Sequence, residues 1–161
     1  MEQPLGVGII GCGAVSVNHF KALKQLPGAK LMAVCDIDEG RLQKAANSHG
    51  VPGYRDYHDL LADARVDVVH VVTPHYLHPQ MAIDAMRAGK HVLCEKPMAI
   101  HAADAAQMAQ VARETGRVLT VCFQNRYNAA SVKMRQVLAS GSLGRVLGGS
   151  AVVTWDRDES Y

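Results

Sequence analysis

Short, almost continuous apolar runs alternate along the chain with stretches in which apolar residues recur at helical spacing. The runs are typical of strands, and the spaced stretches are typical of helices. The predicted strands are Leu5–Ile10, Lys30–Cys35, a weak Val51–Tyr54, Val66–Thr73, His91–Cys94 and Val118–Phe123. The predicted helices are a segment after Gly13 with Val15, Phe20, Leu23 and Leu26 on one face, then Asp38–His49, Asp59–Ala64, Leu77–Ala88, Ala102–Thr115 and Ala130–Ser140.

This alternation predicts right-handed crossovers that join parallel strands, with helices on both faces of the sheet. Nearly all-apolar strands agree, because a strand that is buried on both faces does not alternate. The predicted fold class is therefore α/β, with a doubly wound parallel sheet. After Gly141 the pattern changes to an extended, glycine-bearing segment, Val146–Thr154, and we place a domain boundary near residues 123–128.

Composition narrows the class of protein. The chain has 161 residues, 48% hydrophobic and 20% charged, with a formal net charge of +2 and no run of five like charges. That balance favours a globular protein over one that binds nucleic acid or an anionic membrane. The apolar runs are too short to span a bilayer, and the first residues lack the features of a signal peptide, so we expect a cytoplasmic protein.

The cysteines and histidines do not predict a metal site. Cys12, Cys35, Cys94 and Cys122 contain no Cys-X-X-Cys pair, and each adjoins an apolar run, which favours reduced cysteines in a core over disulfides. His75 and His78 could share one turn, but no third ligand stands at metal spacing nearby.

The sequence Gly11-X-Gly13-X-X-Ser16 lies between the first predicted strand and the first predicted helix. A dinucleotide site needs a tight turn at the first glycine and a missing side chain at the second, so that the backbone approaches the pyrophosphate. The third position is usually Gly or Ala for close packing of helix on strand. Ser16 departs from this, and we expect slightly looser packing there.

Asp36 closes the second strand 20 residues after Ser16, where a carboxylate would accept both hydroxyls of the adenine ribose. The competing interpretation is a turn residue ahead of Asp38. A carboxylate there repels a 2′-phosphate, which favours NAD over NADP. Arg41 could reach a 2′-phosphate, although a solvated surface charge is the favoured interpretation of this residue.

Three further polar clusters follow predicted strands: Thr73–His78, Glu95–Pro97 and Gln124–Tyr127. Each also has a structural interpretation, as a proline turn with capping groups or as a surface Glu-Lys turn. Ligands of open α/β sheets bind outside the carboxyl ends of the strands. Four clusters at those ends therefore predict a single crevice.

Five segments, in this order and spacing, resemble the amino-terminal half of the Gfo/Idh/MocA family, the glucose-fructose oxidoreductase and inositol dehydrogenase group: GVGIIGCGAVSVNH, VCDID, VVTPHYLH, AGKHVLCEKPMA and FQNRYN. The resemblance implies a Rossmann domain that binds NAD or NADP, here residues 1–126. It also implies that residues 127–161 begin a carboxy-terminal α/β domain that shapes the substrate site and builds the oligomer, and that is truncated in this sequence.

The resemblance also implies roles for individual residues. The pyrophosphate would lie along Gly11, Cys12, Gly13, Ala14 and Val15, and the adenosine along Asp36 and Ile37. The nicotinamide side would be bordered by Thr73, Pro74, His75 and His78, with Glu95 on its ribose, and Asn125 would also bind cofactor. Lys96 would contact cofactor and substrate and act catalytically, by orienting the reacting hydroxyl and easing its deprotonation. Further substrate contacts would come from Arg126, Tyr127 and Trp155.

The implied function is the dinucleotide-binding portion of an oxidoreductase that transfers a hydride between a nicotinamide cofactor and a sugar, cyclitol or related polyol. The resemblance also implies a homo-oligomer. The family's Asp and His acid/base pair would lie beyond this sequence, and His101 and Asp104 are predicted to serve a helix start instead. We therefore expect little turnover from these 161 residues. The alternative is a non-catalytic dinucleotide-binding or sensing module. Val146–Thr154 would be a strand without its sheet, either disordered or paired with another chain.

Overall fold

The computed structural model of the chain describes residues 3–154 and 156. Within them the strands are β1 (Leu5–Ile10), β2 (Ala29–Cys35), β3 (Gly53–Tyr54), β4 (Val68–Val71), β5 (His91–Cys94) and β6 (Leu119–Val121). The helices are α1 (Ser16–Gln25), α2 (Glu39–His49), α3 (Tyr57–Ala62), α4 (His78–Arg87), α5 (Ala102–Thr115) and α6 (Ala129–Ala139), and short 3-10 turns occupy His75–Leu77 and Gln124–Tyr127.

All strand pairs are parallel, in the order β3-β2-β1-β4-β5-β6. The predicted doubly wound α/β class is therefore confirmed. The direction of winding reverses between β1 and β4, so the loops that follow these two strands leave the sheet in opposite directions. A crevice opens at this point of such a sheet, and it is the usual place for a ligand.

Two buried clusters lie on the two faces of the sheet and hold the helices against it. One cluster joins strand residues such as Val69 and Val71 to residues of α3, α4 and α5, including Leu60, Met86 and Met108. The other joins β1 and β2 to α1 and α2. Burial of apolar side chains on both faces fixes the strand ends in space, and those ends carry the polar loops described below.

The helix ends agree with the sequence in part. Asp38 accepts a hydrogen bond from the Arg41 amide at the start of α2, and Gly50 ends that helix in the left-handed region at φ 63°. His101 is the N-cap residue of α5 and Asp104 lies in its first turn, as predicted, although the His101 side chain forms no capping bond. The predicted apolar face of α1 is partly wrong. Phe20 and Leu23 are buried, whereas Val15 and Leu26 flank the helix and are half exposed.

Cys12, Cys35, Cys94 and Cys122 form no disulfides. Cys35 and Cys94 are buried, as expected for core cysteines, whereas Cys12 and Cys122 are only partly buried. These two residues follow strands β1 and β6, where the chain leaves the interior of the sheet, so the prediction of four buried cysteines holds for two of them.

The described residues divide into two compact units, which meet between Phe123 and Gln124. The second unit contains the 3-10 turn at Gln124–Tyr127 and helix α6. The strand expected at Val146–Thr154 is not formed, and Val152 and Val153 are 87% and 79% exposed. An isolated extended segment has no neighbouring strand to bond its backbone, which explains the difference. Trp155 lies outside the described residues. None of the described helices is long and apolar enough to cross a membrane.

Candidate dinucleotide-binding site

The loop after β1 is held tightly between the ends of β2 and β4. Gly11 adopts φ +99°, and its amide donates a hydrogen bond of 2.8 Å to the Cys35 carbonyl. A Cβ atom at Gly11 would collide with the backbone carbonyl of Val72. Only glycine therefore fits this turn, and the turn places the following residues at the point where the sheet reverses its winding.

The second glycine of the loop differs from the first, because a Cβ atom at Gly13 would have no neighbouring atom within 4 Å. The protein thus leaves open space beside the Gly13 backbone, as the approach of a phosphate group requires. Helix α1 starts three residues later with no acidic residue in its first turn and no side-chain capping bond. An anion beside the loop would meet the positive end of this helix.

Ser16 does not loosen the packing of α1, contrary to the expectation from its position. The residue is 1% exposed, and its hydroxyl donates a hydrogen bond of 2.6 Å to the Gly13 carbonyl. The hydroxyl thus finds a partner inside the loop, and the serine closes the turn onto the helix.

Cys12 stands between the two glycines and its thiol points toward the carbonyl of Cys35, with a contact of 3.6 Å. Burial, and after it the charge of Asp36, raises the pKa of the Cys12 thiol to about 12. The thiol is therefore protonated at neutral pH, and it lines the loop without being a nucleophile.

Asp36 is buried at the end of β2, where both of its carboxylate oxygens accept bonds from backbone amides. Oδ2 accepts from Cys12 N at 2.7 Å, and Oδ1 accepts from Asp38 N at 2.8 Å. The turn role that competed with ribose binding is thus real, but each carboxylate oxygen keeps a second lone pair for a hydroxyl. Ile37 beside it is 80% exposed, so a large apolar side chain flanks the carboxylate.

The loop after β4 carries Thr73, Pro74 and His75 at or near the surface, but His78 is fully buried. Both nitrogens of the His78 ring face backbone carbonyls, with Nδ1 2.8 Å from Pro97 O and Nε2 2.9 Å from Thr73 O. His78 therefore joins the loop after β4 to the loop after β5. This burial removes His78 from the residues able to touch a cofactor directly, and also from those free to bind a metal.

Glu95 follows β5 and belongs to a hydrogen-bonded network. Its Oε1 lies 3.0 Å from Nε2 of His19, and its Oε2 accepts a bond of 3.1 Å from the amide of Lys96. Burial opposes ionisation of this side chain, but these bonds, together with one from Cys122, outweigh it and hold the pKa of Glu95 below its usual value. The group is thus a carboxylate at neutral pH.

Lys96 is exposed next to Glu95, and the structure describes no hydrogen bond or ion pair for its ammonium group in the ranges 3–154 and 156. The peptide bond between Lys96 and Pro97 is cis. The ammonium of Lys96 is therefore available to a ligand. The ammonium of Lys90, in contrast, bonds the carbonyls of Asp63 and Val66.

Two histidines that the sequence reading did not select lie beneath Glu95. His19 on α1 and His70 on β4 are 7% and 9% exposed, and their Nδ1 atoms are 3.2 Å apart. Burial, and after it the charge of His19, lowers the pKa of His70 to about 4, so this ring is neutral at pH 7. The available signal was His70 as the single polar residue within the apolar run of residues 68–72.

The first unit therefore gathers four of the predicted groups at the carboxyl ends of β1, β2, β4 and β5. They are the glycine loop (Gly11–Val15), Asp36, the Thr73 loop (Thr73–His75) and the Glu95-Lys96 pair. The remaining predicted contacts are not in this unit. Asn125, Arg126 and Tyr127 lie exposed in the 3-10 turn that begins the second unit, where the side chain of Asn128 donates a bond of 3.4 Å to Asn125. Their predicted roles stay predictions.

A separate cleft of about 640 Å³ lies at the opposite, amino ends of β4 and β5. Its floor and rim come from α3, α4 and the residues after them: His58, Leu61, Ala62, Ala64, Asp84, Arg87, Ala88 and Lys90. None of the sequence-predicted site residues lines this cleft. We assign the candidate site to the carboxyl ends of the strands and not to this cleft, because the residues predicted to bind the dinucleotide lie at those ends.

Comparisons with known proteins agree with this geometry. Residues 5–123 match the Gfo/Idh/MocA oxidoreductase family, described as having an NAD-binding Rossmann fold. The inositol 2-dehydrogenase of Salmonella typhimurium is 35% identical over 147 residues, which cover 89% of this chain and 44% of that protein.

Two solved structures are similar in fold and sequence. The WlbA dehydrogenase from Bordetella pertussis, in complex with NADH and UDP-GlcNAcA, has a TM-score of 0.87 and 35% identity, and the match covers 90% of this chain and 42% of that one. The myo-inositol 2-dehydrogenase from Lactobacillus plantarum has a TM-score of 0.83 and 31% identity, covering 89% and 43%. The chain spans less than half the length of the relatives that it matches.

Proposed function

The chain belongs to the Gfo/Idh/MocA family of oxidoreductases, and on this premise we propose that it is the dinucleotide-binding part of an NAD-dependent dehydrogenase of a sugar, cyclitol or related polyol. The observation that carries the proposal is the open space beside Gly13, in a loop that leads into α1 and whose Cys12 amide bonds the Asp36 carboxylate. An extended ligand with a diphosphate and a ribose matches this arrangement.

The residues present fit NAD along its whole length. The backbone of Gly11–Val15 would hold the diphosphate, Asp36 would accept from the adenine ribose, and Ile37 would pack against the adenine. Thr73, Pro74 and His75 would border the nicotinamide, with Glu95 accepting from its ribose. Asn125 is the further residue proposed to bind the cofactor.

Asp36 also supports NAD over NADP. Its two amide bonds fix the carboxylate in place, so a 2′-phosphate would meet a negative charge that cannot turn away. Arg41, the cation that could offset this repulsion, uses its amide to cap α2, and its side chain is on the exposed surface of that helix.

The substrate side of the proposal rests on Lys96. When bound, NAD supplies the nicotinamide ring as the acceptor of the hydride. The free ammonium of Lys96 would hold the hydroxyl that loses its proton and would stabilise the negative charge that develops on its oxygen. Arg126, Tyr127 and Trp155 complete the proposed substrate contacts. Relatives named for inositols and a relative solved with a nucleotide sugar support a polyhydroxylated substrate.

The test is a calorimetric titration of NADH and NADPH against the full chain and its Asp36→Ala variant. We expect the unmodified chain to bind NADH more tightly than NADPH, and the variant to lose about tenfold in NADH affinity together with its preference, because a charge-assisted bond to the ribose is lost.

Asp38→Ala is the matched control, because it removes a carboxylate two residues away that caps α2 without facing the glycine loop. It should keep the NADH affinity. Equal affinity for both dinucleotides in the unmodified chain would refute the NAD preference, and binding of neither would refute the proposed function.

A further inference from the structure

We propose that His19, supported from behind by His70, is a positioning residue that aims the Glu95 carboxylate at the nicotinamide ribose. The proposal rests on the proposed function, since it assumes that the crevice binds a dinucleotide. It adds to that function a pair of buried histidines that orient one cofactor-binding group through the centre of the sheet.

The hydrogen bonds on Glu95 leave it little freedom. Its Oε1 is 3.0 Å from His19 Nε2, and its Oε2 receives the amide of Lys96. The side chain of Glu95 is 13% exposed, so most of it is enclosed and a small part is accessible to a ligand. A carboxylate with two fixed oxygens presents its remaining lone pairs in one direction.

The direction of the His19 hydrogen bond follows from the chemistry of its partner. An ionised carboxylate only accepts, so Nε2 of His19 carries a proton and donates it to Glu95. Nδ1 of His19 lies 3.2 Å from Nδ1 of His70, and the two rings meet edge to face at 64° with centroids 5.2 Å apart. One of these two nitrogens must donate and the other accept, which holds the His19 ring in its plane.

The burial of two polar rings indicates that His19 and His70 have a role beyond packing. His70 lies between Val69 and Val71 in β4, and an apolar residue at its position would continue the strand without the cost of burying a polar ring. The two histidines instead form a continuous line of polar contacts from β4 through α1 to the loop after β5. The exposed end of that line is the Glu95 carboxylate, beside Lys96.

The test compares two ligands on the full chain. NADH carries the nicotinamide ribose, and ADP carries only the adenosine and the diphosphate. We expect His19→Leu to weaken NADH about tenfold, the size of one well-oriented hydrogen bond to a charged group, and to leave the affinity for ADP unchanged. His19→Gln should recover most of the NADH affinity, because its amide nitrogen can take the place of Nε2.

Asn18→Ala is the control for changes on the same helix, since this residue is exposed, and it should bind both ligands as the unmodified chain does. Equal losses of NADH and ADP in His19→Leu, or no recovery in His19→Gln, would overturn the positioning role. Failure of the unmodified chain to bind either ligand would overturn the proposed function, and this inference with it.

A second measurement needs no variant. Nitrogen-15 correlation spectra of the unmodified chain at pH 7 report which ring nitrogens carry protons. We expect a proton on Nε2 of His19 and one proton on the His70 ring. A bare Nε2 on His19 would contradict the proposal even if the variants failed to fold.

Discussion

Two carboxylates border the crevice, and they are held by different means. Asp36 receives two backbone amides, so its position follows from the turn between β2 and α2 and from the glycine loop. Glu95 receives one amide and two side chains, those of His19 and Cys122. Backbone contacts survive most substitutions around them, whereas side-chain contacts do not. A substitution far from the ligand can therefore change the position of the Glu95 carboxylate more readily than that of Asp36.

The neutral state of His70 leads to a prediction about acid stability. Burial, and after it the charge of His19, lowers the pKa of His70 from 6.5 to about 4. Between these values the unfolded chain binds a proton that the folded chain does not, so the free energy of unfolding falls as the pH falls. The loss amounts to at most about 3 kcal/mol for this group.

Urea denaturation at pH 7.5 and pH 4.5 measures this loss, and the His70→Val variant should show a smaller one. His49, whose pKa is also lowered by burial, contributes a slope of the same sign to both proteins. Asp63 does not interfere, because its hydrogen bond to Arg65, opposed by burial, leaves a pKa of about 2 that affects stability only at lower pH. Identical losses in the two proteins would show that His70 is not the group concerned.

At the residue scale the sequence predicted the groups whose chemistry is local. Gly11 and Asp36 lie in a short pattern with a fixed spacing, and the structure places them at adjoining strand ends. The contact between His19 and His70 was missed because the two residues are 51 positions apart in the sequence. Only the packing of α1 on the sheet brings them together. The role of Ser16 was misjudged because its hydroxyl finds a partner within the loop.

His78 belongs to the scale of elements, because it links three of them. Its ring lies at the start of α4, with Nε2 2.9 Å from the carbonyl oxygen of Thr73 after β4 and Nδ1 2.8 Å from that of Pro97 after β5. The loop that carries Lys96 is therefore tied to the loop that would border the nicotinamide. Residues of this kind set the distance between two parts of a site without touching the ligand.

We predict that His78→Leu lowers the free energy of unfolding by about 1–3 kcal/mol, because a buried carbonyl loses its hydrogen-bond donor while the volume of the side chain is retained. Thermal or urea denaturation measures the change. His75→Leu serves as the control. His75 is exposed three residues earlier, and its substitution should stay within about 0.5 kcal/mol. Equal effects of the two substitutions would contradict the linking role of His78.

The elements of the first unit could be predicted because each apolar run in the sequence packs within the same sheet. Predicted and observed strand ends differ by no more than two residues. Val146–Thr154, expected to be a strand without its sheet, has the composition of a strand but forms none in the described structure. Strand propensity describes how a residue fits a pleated surface, and without neighbouring strands that preference has no effect.

At the scale of the molecule, the winding of the sheet and the positions of its polar groups indicate the same ligand site, at the carboxyl ends of the strands. The carboxyl ends of β1, β2, β4 and β5 carry the glycine loop, two carboxylates and the available ammonium of Lys96, whereas none of the predicted site residues lines the cleft at the amino ends. The matches to dehydrogenases cover 5–123 and run into the second unit, but less than half of each relative. Binding of the dinucleotide is therefore the part of the proposed function that this chain can test by itself.

The most direct test is to follow the backbone amide signals of the full chain by nuclear magnetic resonance while NADH is added. The account predicts saturable shifts in Gly11–Val15, at Asp36, in the Thr73 loop and at Glu95, with no change around the cleft that contains His58 and Lys90. In the Gly13→Ala variant the spectrum without ligand should remain that of a folded protein, but the shifts should be lost, because the methyl group fills the space that a phosphate needs. Shifts centred on the cleft, or none at saturating NADH, would contradict the account.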